Sequence, residues 1–224
     1  MSGLEPRLAE IRDRIDAAAR RAGRTEPVTV VAVTKTHPAE VVSAIAAAGV
    51  GDVGENKVQE ALDKMDHVTA PLRWHLIGHL QRNKAKAATR FALVHSVDSE
   101  RLAIALDDAA RAQQAVLDVL IQVNTSGEES KGGFRPSELD AVSDRLAGLS
   151  GLRVRGVMTM APYTTDERIL RATFAGARSA GARLRAAGLP AAELSMGMSN
   201  DFECAVEEGA TMVRLGSVLF GERS

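Results

Sequence analysis

The sequence is poor in cysteine, in aromatic residues, in net charge and in long apolar runs, and each shortage excludes something. Cys204 is the one cysteine in 224 residues. An intramolecular disulfide is therefore impossible, and a reducing compartment is the expectation. Cys204 itself reads as a small buried apolar residue rather than a reactive thiol. Aromatic residues make up 3%, with one Trp and one Tyr, too few for a base-stacking platform that grips single strands. The 28 Lys and Arg stand against 29 Asp and Glu, a formal net charge of -1. That balance carries no electrostatic signature of a nucleic-acid binder. No run approaches the roughly 18 consecutive apolar residues of a membrane span. From Met1 to Arg24, charges interrupt the apolar positions throughout, unlike the apolar core of a signal peptide. The expectation is a cytoplasmic protein with neither a membrane nor a nucleic acid as partner.

What the chain does have is rhythm, within an ordinary globular composition of 45% hydrophobic and 25% charged residues. Leu4, Leu8, Ile11 and Ile15 line one face of a helix, and Gly23 ends it. Val28 to Val33, VTVVAV, reads as a strand buried on both faces. A helix from near Pro38 to Gly49 follows, then a strand at Asp52 to Gly54 and a helix marked by Val58, Leu62 and Met65. Next come a strand at Trp74 to Ile77, a short helix at Asn83 to Arg90 and a strand at Ala92 to His95. Ser99 caps a helix running to about Gln113. The second half repeats the pattern, with strands at Val116 to Val123, Val154 to Met158, Glu193 to Met196 and Thr211 to Leu215. Its helices carry Leu139, Val142, Leu146 and Leu149, then run from about Asp166 to Ala187 and from Phe202 to Glu208.

Eight strands result, each but the last followed by a helix, with an extra helix in front. Strict alternation implies a parallel sheet covered by helices. The length suits an α/β fold of one (β/α)8 TIM-type barrel with an extra N-terminal helix, for which about 250 residues is typical. It would span 1–224 as a single domain. An open doubly wound sheet would need a Gly-rich turn after the first strand. That turn is Lys35-Thr36-His37-Pro38.

Function in such a barrel sits at the C-terminal ends of the strands, with phosphate sites favoured after strands 7 and 8. Lys35 ends the first strand. Either it snorkels from the rim into water, or it is a partly desolvated amine able to condense with a carbonyl. After strand 7, Gly197, Ser199 and Asn200 precede a short helix, and Asn200 with Glu203 has capping-box spacing. Helix N-termini offer free N–H groups to anions. At strand 8, Arg214-Leu-Gly216-Ser217 adds a cation, a backbone position without a side chain and a hydroxyl. The two loops together read as a phosphate cup. A cup facing an amine suggests a phosphorylated aldehyde, of which pyridoxal 5'-phosphate is the common one. An arginine facing its ring nitrogen would keep that nitrogen unprotonated and weaken the ring as an electron sink. Asn56 is either a polar contact to the ligand or the N-cap of the next helix, with Gln59 closing a capping box. His75 and His79 have metal-like spacing, but no third ligand is evident, so no metal site is expected. The stretch Arg82 to Lys86 reads as a solvated helix start.

Five segments carry a family resemblance. They are Val33-Thr-Lys-Thr36, Gly54-Glu-Asn-Lys-Val-Gln-Glu60, His75-Leu-Ile-Gly-His-Leu-Gln-Arg-Asn-Lys84, Leu194-Ser-Met-Gly-Met-Ser-Asn-Asp201 and Val213-Arg-Leu-Gly-Ser-Val-Leu-Phe-Gly221. The chain resembles the pyridoxal phosphate homeostasis proteins, the YggS/PROSC group of fold-type III proteins, from about residue 4 to residue 222. The resemblance implies a Schiff base on Lys35, Arg214 facing the pyridine nitrogen, Ser199, Gly216 and Ser217 at the phosphate, and Asn56 near the ring. It also implies binding, buffering or delivery of the cofactor without established turnover, with cofactor-requiring apo-enzymes as acceptors. Fold-type III racemases add a second, β-rich domain that supplies a catalytic tyrosine from a partner subunit. This sequence stops three residues after Gly221, and its single tyrosine, Tyr163, follows strand 6. A monomeric non-enzyme is therefore the expectation, with a weakly active racemase-like enzyme as the alternative.

Overall fold

Apolar periodicity translates almost directly into secondary structure. The computed structural model describes residues 3–128 and 131–221. Helix α1 spans Leu4–Arg21 and buries Leu4, Leu8, Ile11 and Ile15, the four positions that define its apolar face. In the first half the order is then β1 Thr29–Val33, α2 Ala39–Ala47, β2 Asp52–Glu55, α3 Val58–Met65, β3 Arg73–Leu76, α4 Ala85–Ala88, β4 Leu93–Val97 and α5 Glu100–Ala112. The second half runs β5 Leu117–Gln122, α6 Leu139–Ala147, β6 Leu152–Met158, α7 Glu167–Ala186, β7 Glu193–Ser195, α8 Phe202–Glu207, β8 Met212–Leu215 and α9 Ser217–Phe220. Single 3-10 turns at Arg82–Lys84 and Pro136–Glu138 lead into α4 and α6.

All eight strands pair in parallel in sequence order, and β8 returns to β1 to close the barrel. The β1–β8 register sets Val31 beside Arg214 and Ala32 beside Leu215. The chain therefore leaves both strands at the same point of the rim, and the loops after Val33 and Leu215 are neighbours. Alternation along each strand sends one set of side chains out to the helices and the other into the barrel. Val31, Leu93, Leu120, Met158 and Met212 form an inner cluster separate from the larger one between strands and helices. Each fully buried Leu or Ile of the outer cluster contributes about 1.5–3 kcal/mol. Helix α1 packs on α8 and α9. Arg14 pairs there with Glu203 at 3.2 Å, and Arg7 donates to the Leu219 carbonyl at 3.0 Å.

Two expectations change. A helix does follow the last strand. It is a single turn, too short to show a 3.6-residue period. Ser99 holds the N-cap position of α5 in an extended conformation but makes no cap bond; its hydroxyl donates to Asp98 at 3.1 Å instead. Asp166 caps α7 by accepting from the Arg168 amide at 2.9 Å.

Candidate functional site

Lys35 follows β1 in a turn that is held from both sides. The Thr34 carbonyl accepts from Lys64 Nζ at 2.8 Å, and the Thr36 amide donates to Glu60 Oε1 at 2.5 Å. Thr36 has φ 66°, the left-handed region that a β-branched residue seldom adopts. The turn is therefore fixed by its neighbours rather than by local preference. Lys64 is itself buried and also bonds Glu55 Oε1 at 2.7 Å and Glu60 Oε1 at 2.8 Å. Glu55 is fully buried; Thr34 Oγ1 donates to its Oε1 at 2.7 Å, while Oε2 has no partner. Burial pushes the Glu55 pKa up, against the hydrogen bonds from Lys64 and Thr34. At Glu60 burial works the same way, but bonds from Lys64 and the Thr36 amide outweigh it and the pKa falls. The result presents the half-buried Lys35 at the rim of a cavity.

That cavity measures about 760 Å³ and is lined by Lys35, Asn56, Ser199, Arg214, Gly216 and Ser217 together. Its size falls in the range of small-molecule and cofactor sites. Ser199 Oγ accepts from the Gly216 and Val218 amides, both at 3.3 Å, and so ties the β7 loop to the start of α9. The amides of Ser199, Asn200 and Ser217 bond no other group among the described residues. Arg214 is 4% exposed. Its NH1 donates to the Ser195 carbonyl at 2.7 Å and to Ser195 Oγ at 2.6 Å, and its NH2 donates to the Thr159 carbonyl at 2.9 Å. A guanidinium has five N–H groups, so two remain. Burial pushes the Arg214 pKa down to about 10, which still leaves a cation at neutral pH.

Gly78 is demanded by this packing. A Cβ there would lie 2.3 Å from the Asn56 carbonyl oxygen, so the β3 loop presses on Asn56 and holds it. Gly216 is different: its φ is -123°, and a Cβ would make an ordinary 3.5 Å contact with Val33. Its neighbours leave room for a side chain.

Two capping expectations need correction. Asn56 is not the N-cap of α3; Lys57 holds that position without a side-chain bond, and Gln59 bonds Asp63 at 2.8 Å. Asn200 and Glu203 form no capping box. Asp201 is the N-cap residue of α8, its Oδ1 accepts from the Met198 amide at 2.5 Å, and Glu203 turns to Arg14. His75 and His79 do not converge. His75 is buried against His95 and Asp52, whereas His79 is exposed and pairs with Asp98 at 3.0 Å. No group of three or more metal-ligating side chains occurs among the described residues. Cys204 is half-buried, and burial pushes its thiol pKa up to about 11, which suits an inert role. Arg82 and Lys84 are exposed on the 3-10 turn.

Sequence reasoning missed Ser195, His95, Lys64 and Glu60. Ser195 and His95 occupy inward strand positions beside apolar residues. Polar side chains at such positions were a readable signal of a buried network.

Residues 7–224 match the family model of the alanine racemase N-terminal domain. The pyridoxal phosphate homeostasis protein of Pseudomonas aeruginosa is 43% identical over 227 residues, which cover 100% of this chain and 97% of the relative. This chain belongs to the pyridoxal phosphate homeostasis protein family. The Escherichia coli member is 40% identical over 232 residues, covering 100% of this chain and 98% of the relative. Among solved structures, PipY of Synechococcus elongatus with pyridoxal phosphate bound is 38% identical, with a TM-score of 0.86. That match covers 97% of this chain and 100% of PipY.

Proposed function

We propose that this family member binds pyridoxal 5'-phosphate in the barrel-mouth cavity and holds it for exchange with other proteins, as part of intracellular cofactor homeostasis. One observation carries the reading: the Lys35 amine, a set of unengaged backbone amides and a buried guanidinium with two spare donors all border one cavity. That donor set fits the group, which needs an amine for its aldehyde, N–H donors for its phosphate and a partner for its ring nitrogen. Bound there, the cofactor would supply an aldehyde for reversible covalent attachment to an amine.

Lys35 Nζ is the attaching amine, presented by the clamp on Thr34 and Thr36. Ser199 and Ser217, with the unengaged amides of Ser199, Asn200 and Ser217 beside Gly216, would bind the phosphate; Asn56, pinned by Gly78, would orient the ring. Arg214 would donate to the ring nitrogen and, as a cation, disfavour its protonation. An unprotonated ring withdraws electrons weakly. Tyr163 at the rim is 94% exposed, and a rim open at this point favours ligand exchange over the water exclusion that turnover demands. Both features suit uptake and release rather than catalysis. In this reading residues 1–224 act as one binding unit. It works as a monomer in the cytoplasm, with apo-enzymes as acceptors. Among the described residues no helix is long and apolar enough to cross a membrane.

Membership of the alanine racemase N-terminal domain family favours one competing reading, a weak racemase-like enzyme. Racemisation and transamination assays over a panel of amino acids decide between them. The carrier reading predicts no turnover, together with faster activation of an apo-acceptor by the loaded protein than by equal free cofactor. Turnover above about 1 per second, in the ordinary enzyme range, that vanishes in Lys35→Ala would overturn it.

A further inference from the structure

Five polar residues inside the barrel are joined end to end. Asp52, His75, His95, Ser195 and Arg214 come from β2, β3, β4, β7 and β8. Their chain neighbours Val53, Trp74, Val94, Leu194 and Val213 pack outward in the shared core, so alternation turns these five inward. Arg214 NH1 lies 2.6 Å from Ser195 Oγ, and Ser195 Oγ lies 2.8 Å from His95 Nδ1. His95 Nε2 lies 2.8 Å from His75 Nδ1, and His75 Nε2 lies 2.8 Å from Asp52 Oδ1. His75, His95 and Ser195 are all 0% exposed.

The two ends set the direction. An arginine only donates, and a carboxylate only accepts. With one proton on each ring, His75 carries its own on Nε2 toward Asp52, which leaves Nδ1 to accept. His95 then carries its proton on Nε2, and its Nδ1 accepts from the Ser195 hydroxyl. Ser195 Oγ in turn accepts from Arg214. Each link then has one donor and one acceptor. The reverse order would set a bare His75 nitrogen against the carboxylate. Burial, aided by His75 and Arg214, lowers the His95 pKa well below its ordinary value, in agreement with a neutral ring.

Arg214 makes no ion pair among the described residues; the Asp201 carboxylate in the same cavity lining favours its charge from a distance, but a buried cation without a paired anion is costly. Aligned hydrogen bonds polarise one another in a low-dielectric interior. Here every acceptor end points at the guanidinium, with the Asp52 carboxylate, which also pairs with the exposed Arg73 at 3.3 Å, behind the last link. We propose that Ser195, His95, His75 and Asp52 are positioning residues, a one-way relay that fixes Arg214 with its two spare donors toward the cavity and tunes their contact with the cofactor ring. The relay itself stands on the geometry; its effect on the ring rests on the pyridoxal phosphate reading.

Two measurements separate these. In the cofactor-free protein at neutral pH, 15N NMR should show both histidines as neutral Nε2–H tautomers, with a scalar coupling across the His95–His75 hydrogen bond. A protonated ring or an Nδ1–H tautomer at either residue overturns the relay. The second measurement loads Ser195→Ala and Asp52→Asn with pyridoxal phosphate. Asp52→Asn keeps an acceptor for His75 but removes the charge and with it the Arg73 ion pair; a thermal melt of the variant checks that the fold is kept. Both variants should shift the visible absorption band, and Ser195→Ala should weaken binding about tenfold, as for a lost charge-assisted hydrogen bond. Ser195→Thr, which keeps the hydroxyl, should restore the band. Bands and affinities equal to wild type in both variants overturn the tuning role. Failure of the wild-type protein to bind overturns the cofactor reading, and the NMR result then decides the relay alone.

Discussion

Replacing Lys64 with Met removes the buried ammonium that holds the Lys35 turn and leaves everything around it in place. Lys64 Nζ bonds Glu55, Glu60 and the Thr34 carbonyl within 2.7–2.8 Å. Glu55 is 0% exposed, and one of its oxygens already lacks a partner. Breaking a buried pair by deleting one partner costs about 3–5 kcal/mol, because the other charge stays buried. For a chain of this size that corresponds to a fall in melting temperature of about 6–20 °C. The deficit should depend on pH. The Glu55 pKa is raised in the folded state, so its contribution favours folding at low pH and is lost as pH rises through the folded pKa. Without the Lys64 bond, which lowers it, that pKa climbs further and the loss deepens. Glu60 has a lowered pKa and stabilises the fold above the ordinary carboxylate range, a contribution the variant also forfeits. Both signs agree: the deficit is largest at neutral pH and shrinks toward pH 4.5. Urea titrations of wild type and Lys64→Met at pH 7 and pH 5 measure it. A difference below about 1 kcal/mol, or one unchanged between the two pH values, would refute the clamp.

Ser199→Ala and Ser217→Ala should each weaken pyridoxal phosphate binding by about 0.5–3 kcal/mol, the range for losing a hydrogen bond or stranding a charged partner. Pyridoxal lacking the phosphate should bind far more weakly in a fluorescence titration; equal affinities would remove the phosphate cup. Gly78→Ala should destabilise the fold by about 1–3 kcal/mol, the cost of overpacking, since its new Cβ meets the Asn56 carbonyl. Gly216→Ala should leave the thermal midpoint unchanged, because its Cβ meets only an ordinary contact at Val33.

The fold was legible because its signals are local. Leu4, Leu8, Ile11 and Ile15 declare a helix by spacing alone, and VTVVAV declares a buried strand. Counting such units leads to the barrel, and the barrel rule then names the strand ends where Lys35, Asn56, Ser199, Arg214, Gly216 and Ser217 stand. Those six border one cavity. What stayed hidden depends on contacts between distant residues. Lys64 reaches the Thr34 carbonyl 30 residues away, and His95 meets Ser195 across 100 residues. No periodicity encodes such pairs. The capping boxes failed for a related reason: spacing permits a cap, but the loop backbone decides which residue stands at the helix start. At α8 that residue is Asp201, and at α3 it is Lys57.

If Lys35 is the amine that faces a phosphate-binding mouth, borohydride reduction of the protein loaded with pyridoxal phosphate should fix the cofactor there. Peptide mapping should then find one stoichiometric label, on Lys35, and none in Lys35→Ala, while some cofactor still binds through the phosphate contacts. A label on another lysine such as Lys57 or Lys131, or no label at all, would rule Lys35 out.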